Sequence, residues 1–137
     1  MPFWKSKKKP NDRSRAIDRC KRLWGKAIRY MYPYCQKCGM PTVHAHHWIS
    51  RQNGAKPFWF DLRYGIGLCF NCHADGAHSV DFDKQLEFHK FLLEWLEEKN
   101  LNYEIMKSIA RANSKLTVFD ILEYEKILKK YLNLYVF

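Results

Sequence analysis

Four of the five cysteines and five of the six histidines of this chain fall within one stretch, Cys35 to His78. The cysteines form two Cys-x-x-Cys pairs, Cys35/Cys38 and Cys69/Cys72, and the histidines are His44, His46, His47, His73 and His78. Thiolates and imidazoles ligate soft and borderline metal ions, so this crowding calls first for a metal explanation. Two such turns each present two thiolates to one ion, and together they close a tetrahedral sphere with no position left for water. The expected ion is structural zinc, with rubredoxin-type iron, which uses similar knuckles, as the runner-up. Gly39, just after the second cysteine, allows the backbone turn that points amides at thiolate sulfur. The gap of about thirty residues between the pairs is longer than in the commonest zinc modules, yet closing a longer loop costs little more.

The histidines suggest a second, open site. His46 and His47 are adjacent at the end of an expected strand, and adjacent strand residues point to opposite faces. One ring is thus placed to ligate while the other does something else. Two neutral imidazoles with water hold a divalent ion open to substrate, and a third takes a proton from an attacking water. His73 directly follows the second cysteine pair, which brings it within reach of the strand end. His44 points the same way as His46 and either ligates, orients a phosphate or simply packs. His78 lines the cleft from beyond the following helix or is a surface residue, and His89 is read as structural.

The segment HHWISR, DLRYGIGLC, Cys-x-x-Cys-His and Ala77-His78 resembles the HNH nucleases, whose shared fold is the ββα-metal motif. It is most similar to phage versions in which two Cys-x-x-Cys pairs buttress the site, NinG-like recombination proteins among them. The resemblance covers roughly residues 30–80; the tail around LNYEIMKSIARANSKLT is a less specific match. It implies His47 as general base, His46 and His73 as ligands of a catalytic Mg²⁺ or Mn²⁺, and one-metal hydrolysis of DNA phosphodiesters. Tyr64 stands where the family usually has Asn, a residue that braces the loop carrying the base, so Tyr64 is grouped with the catalytic residues in that bracing role. Arg51 and Arg63 are candidate phosphate clamps, or surface arginines paired with Asp61. Phage recombination or packaging is the implied setting.

The elements that must position these groups can be read from periodicity. A helix is expected from Arg13 to about Met31, with Ile17, Leu23, Trp24, Ala27, Ile28 and Met31 on one stripe. Arg15, Arg19, Arg22, Lys26 and Arg29 lie on its other face, and Arg22, Lys26 and Arg29 are candidate DNA contacts. Cys20 reads as a buried or idle thiol. Short strands are expected within Pro41–Ile49 and Leu62–Leu68, separated by a loop over 50–61. In that loop Phe58, Trp59 and Phe60 either stack on bases or pack in the core. Further helices are expected from Asp83 to about Lys99, over 102–112 with Ile105, Ile109 and Ala112 inward, and from a Thr117/Asp120 capping box to about Leu132.

The fold class is therefore α+β: a ββα-metal (HNH) core stapled by a four-cysteine zinc site, with a basic helix before it and a helical region after it. The divisions are a basic arm (1–12), the zinc-stapled nuclease domain (13–80) and the C-terminal helices (81–137). Of the net charge of +10, residues 1–34 carry +9, residues 35–80 carry +2 and residues 81–137 carry −1. A basic end of this kind suits a polyphosphate partner such as DNA. No long apolar run and no secretory core sequence is present, so the expected setting is a reducing cytoplasm, bacterial or phage-infected, with no membrane partner. A homodimer through the C-terminal helices is left open. A zinc deaminase is discarded because the His-x-Glu and Pro-Cys-x-x-Cys signature is absent. A non-catalytic zinc-stabilised module that binds nucleic acid stands as the alternative to the nuclease.

Overall fold

The strand Gly65–Leu68 (β2) is buried at all four positions, and its sequence, Gly-Ile-Gly-Leu, explains how. A Cβ on Gly65 would lie 2.6 Å from Trp24 Cζ2, and one on Gly67 only 2.8 Å from the Tyr32 carbonyl oxygen. Glycine at alternate positions thus lets the first helix, α1 (Asp12–Met31), lie directly on one face of the strand. Ile66 and Leu68, on the other face, are completely buried. A computed structural model of the chain describes residues 12–49, 58–112 and 116–135. The basic arm up to residue 11 and Arg51 lie outside the described residues.

The partner strand β1 (His44–His47) runs antiparallel to β2, with His44 opposite Leu68 and His47 opposite Gly65. Both strands are shorter than the runs expected from sequence, and Leu62–Tyr64 forms a 3₁₀ turn capped by Asp61 rather than strand. After β2 come a single helical turn, α2 (Phe70–Cys72), and a π-helical turn over His73–Ala77. Three longer helices follow: α3 (Phe82–Glu98), α4 (Tyr103–Ala112) and α5 (Val118–Tyr135). The architecture is α+β, with one two-stranded sheet among the described residues. Among these residues no helix is long and apolar enough to cross a membrane.

Local chemistry accounts for the helix ends. Asp81 caps α3 by accepting from the amides of Asp83 and Lys84. Thr117 and Asp120 form the reciprocal capping box at the start of α5: each side chain accepts from the other's amide, at 3.1 and 2.9 Å. That helix folds back along α1. Arg19 donates to Glu125 at 2.8 Å, and the buried Cys20 thiol donates to the Ile121 carbonyl at 3.3 Å. Arg19 therefore faces α5 rather than the outward cationic side, while Arg22, Lys26 and Arg29 are exposed.

The inward face of α4 differs from expectation. Ile105 and Ile109 are 60% and 52% exposed, whereas Met106 and Ala110 are buried. Apolar residues occur on both sides of this helix, so periodicity alone could not choose between them. The choice is made by Tyr64, whose buried hydroxyl donates to the Met106 carbonyl at 3.0 Å and ties that side of α4 to the core.

Candidate metal centres

The ligand atoms of Cys35, Cys38, Cys69 and Cys72 all lie within 4.8 Å of one another. Each pair is held by its own turn. In the first, the Gly39 amide donates to the Cys35 carbonyl and Gly39 takes φ +83°, a left-handed conformation that glycine adopts without strain. In the second, Cys69 directly follows β2 and caps the next turn, its sulfur accepting from the Cys72 amide at 3.4 Å. The hairpin joins the two, because the Gln36 amide donates to the Gly67 carbonyl at 3.1 Å. Across the turns, Cys38 and Cys69 sulfurs are 3.5 Å apart. Zinc–sulfur bonds of about 2.3 Å in a tetrahedron place sulfurs about 3.8 Å apart, so the cluster is compatible with such an ion.

Electrostatics point the same way. Burial opposes ionisation of Cys35, but hydrogen bonds from the backbone of Cys69, Cys38 and Lys37 prevail and lower its pKa to about 7. Cys72 is pushed far up, by burial first and then by its sulfur neighbours. Four thiols this close cannot all ionise alone, and a cation at their centre is what makes the set self-consistent.

A second cluster gathers His46, His73 and His78, whose ligating nitrogens also lie within 4.8 Å of one another. Ring centroids are 4.9 Å apart for His46/His73, 5.0 Å for His46/His78 and 4.6 Å for His73/His78. His78 joins through the π turn, closed by its amide donating to the His73 carbonyl at 3.0 Å. Residues five apart are about 140° apart around an ordinary α-helix, but a π turn brings them onto one side. Ordinary helical spacing therefore leaves His78 at the margin, and only an i, i+5 pairing could have found it. His44 stacks on His73 with centroids 4.8 Å apart, on the same side of β1 as His46.

His46 and His73 are held neutral. Burial, then charge on His73, His78 and His47, lowers His46 to about 3. Burial, then His78 and His44, lowers His73 to about 4. Neutral imidazoles accept a metal ion without first losing a proton. Among the described residues no carboxylate joins this group; Asp75, on the π turn, pairs with Lys84 at 2.8 Å instead. Three imidazoles suit Zn²⁺, Co²⁺ or Ni²⁺, whereas Mg²⁺ and Mn²⁺ favour oxygen donors. The donor set thus fits the expected Mg²⁺ or Mn²⁺ poorly.

His47 turns to the opposite face of β1. Its ring lies on Trp24, with centroids 3.8 Å apart and planes 1° from parallel, and its Nε2 is 2.7 Å from the Trp59 carbonyl. A carbonyl only accepts, so Nε2 carries the proton and, in the neutral ring, Nδ1 is the basic nitrogen. Tyr64 is buried between Phe58 and Trp48, with its hydroxyl committed to α4. The group that holds His47 is the Trp59 carbonyl, not the residue at the Asn position. Arg63 is exposed and grips Asp61 with Nε and a terminal nitrogen, the shortest contact being 2.7 Å. Its charge is largely spent within its own turn. His89 packs edge-on against Tyr103.

Fold and site together define a small α+β chain with a tetrathiolate cluster able to hold an ion such as zinc. Comparison with protein-family models, with curated proteins and with solved structures finds no match.

Proposed function

We propose that the chain is a metal-dependent endonuclease that hydrolyses DNA phosphodiester bonds in the manner of HNH enzymes. One observation carries this reading: His46, His73 and His78 converge on a hairpin strand where His46 is followed directly by His47, whose tautomer the Trp59 carbonyl fixes. The order of hairpin and then helix, with ligands on the first strand and on the helix, agrees with a ββα-metal arrangement.

In this mechanism His47 Nδ1 takes the proton of an attacking water, and the Trp24 face beneath the ring stabilises the imidazolium that forms. The Trp59 carbonyl keeps the proton on Nε2, which makes Nδ1 the basic nitrogen of the neutral ring. His46, His73 and His78 would hold a divalent ion, and such an ion would supply Lewis acidity for phosphodiester hydrolysis. The thiolate cluster does no chemistry; it fixes β2 and the π turn so that the imidazoles meet.

A plasmid-nicking assay across Zn²⁺, Co²⁺, Ni²⁺, Mn²⁺ and Mg²⁺ tests the reading. Cleavage is expected with the borderline ions, and His47→Ala should lower it by roughly 10²–10⁴-fold with DNA binding retained. Intact plasmid with wild type under every metal would leave the non-catalytic zinc module as the better description. The burial of Tyr64 at the motif's Asn position is the observation that favours that second reading.

A further inference from the structure

Beside His47 a cleft of about 300 Å³ opens between α1, β1 and the turn at Phe58–Phe60. Lys21, Gly25 and Arg29 of α1 line it together with Trp59, and among the described residues no carboxylate does. These three helix residues follow one another at intervals of four, so they form one stripe along the cleft. Gly25 is what shapes that stripe: a Cβ there would come within 3.1 Å of an Arg29 guanidinium nitrogen. The arginine thus lies back over the bare backbone along the helix. The Lys21 ammonium, at the other end, sits 5.2 Å from the centre of the Trp59 ring. The two residues are eight apart, about 12 Å along the helix axis at the backbone, and the folded-back guanidinium brings the charges nearer than that.

We propose that this cleft is a track for an unpaired DNA strand, with backbone phosphates on Lys21 and Arg29 and a base stacked on Trp59. Two exposed cations on one line meet successive parts of a phosphate backbone, and a half-buried indole meets the face of a base. A lysine that reaches over the ring is long enough to meet the phosphate of a nucleotide whose base lies on it. Only an unpaired nucleotide offers that face, because a base inside a duplex shows the protein its edges alone. The inference rests on the nuclease reading in one respect: the track leads a phosphodiester to His47. It then makes single-stranded or locally opened DNA the preferred substrate.

The test is binding, measured by fluorescence anisotropy with the zinc-loaded full chain. The probes are a labelled short oligothymidylate with phosphorothioate linkages and the duplex of equal length. Wild type should bind the single strand at least about tenfold more tightly. Lys21→Ala with Arg29→Ala should weaken that binding and flatten the slope of log K against log salt by about 1.4, two phosphates at about 0.7 each. Both residues are exposed, so the fold is not at stake. Trp59→Leu, and the milder Trp59→Phe as a check on folding, should reduce the single-strand preference in that order. Equal affinity for the two probes overturns the proposal. So does a double variant no weaker than Lys90→Ala with Lys130→Ala, which removes two exposed charges elsewhere. Binding as expected without cleavage under any metal removes the nuclease reading alone, whereas cleavage without strand preference removes the track alone.

Discussion

The imidazole of His47 lies flat on the indole of Trp24, 3.8 Å from centroid to centroid and parallel to within 1°. Trp24 is itself fixed, since its Nε1 donates to the Asp61 carbonyl at 3.2 Å. The plane of the proposed base is therefore set by a residue of α1, far from the hairpin in sequence, through stacking rather than through the hairpin alone. Trp24→Phe keeps an aromatic surface but loses the hydrogen bond that aims it. We expect kcat for nicking to fall about tenfold with KM within about twofold, the pattern of a misaimed catalytic group. An unchanged kcat would remove Trp24 from any positioning role.

Thiolate ligation makes a stability claim. Cys69 joins β2 to α2, lies 3.5 Å from Cys38 and accepts from the Cys72 amide. Cys69→Ser should lose tightly bound zinc and unfold the region from Tyr34 to His78, because structural zinc contributes on the order of 10 kcal/mol in small domains. Strong chelation of the wild type should do the same. Zinc content by mass spectrometry and thermal melting provide the check, and a variant that melts with wild type excludes the structural role.

The π turn decides which imidazole completes the second cluster. His78 has its nitrogen within reach of His46 and His73, whereas His44 only stacks on His73. His78→Ala should weaken Co²⁺ binding to the zinc-loaded protein at least about tenfold, and His44→Ala by less than about threefold, because a ligand counts for more than its neighbour. Visible absorption of bound Co²⁺ reads both. The reverse order would place His44 in the coordination sphere.

Acid should act through the same rings. His46 and His73 have folded pKa values of about 3 and about 4, below the ordinary histidine value of 6.5. Between those limits the unfolded chain binds protons that the folded chain refuses, so stability is present in full above about pH 6.5 and falls as pH drops towards 3. His46→Gln removes one such group. In protein without metal on the imidazoles, its urea-unfolding free energy should decline less steeply from pH 6 to 4, by up to about 1.4 kcal/mol per pH unit. Acid loss of thiolate-bound zinc is common to both proteins and cancels in the comparison. Parallel slopes would show that His46 is not held neutral by burial.

Much of this arrangement was legible in the sequence, for identifiable reasons. Cys-x-x-Cys spacing is a local signal, and the four thiols come together as expected. The helices α1, α3 and α5 announce themselves by one dominant apolar stripe, and Thr117/Asp120 by capping chemistry. Alternation along β1 correctly separates His46 from His47. What was not legible depends on longer-range or rarer geometry. His78 needed a π turn, and the buried side of α4, apolar on both faces, needed its tie to the hydroxyl of Tyr64; the Arg63–Asp61 pair, by contrast, was one of the two readings open for Arg63. The cation at Lys21 is not marked in the sequence either, because nothing in the helix pattern says that the Trp59 turn closes over it.

Tyr64 separates a structural from a catalytic reading of the motif's Asn position. Its ring packs on Trp48 and Phe58 with centroids 5.2 and 4.4 Å away, and its hydroxyl bonds a carbonyl of α4. Tyr64→Phe keeps the packing and deletes only that bond, leaving the Met106 carbonyl without its buried donor. A cost of about 1 kcal/mol is expected in unfolding free energy, with nicking kcat and KM unchanged. Tyr64→Asn, which installs the residue usual in the HNH nucleases that the sequence resembles, should be far more disruptive: it empties an aromatic site in the core, at a cost of roughly 3–5 kcal/mol, and its short side chain does not reach Met106. Denaturant melts and nicking kinetics on the two variants decide the matter. A Tyr64→Phe protein that is as stable as wild type but catalytically impaired would return this residue to the active site.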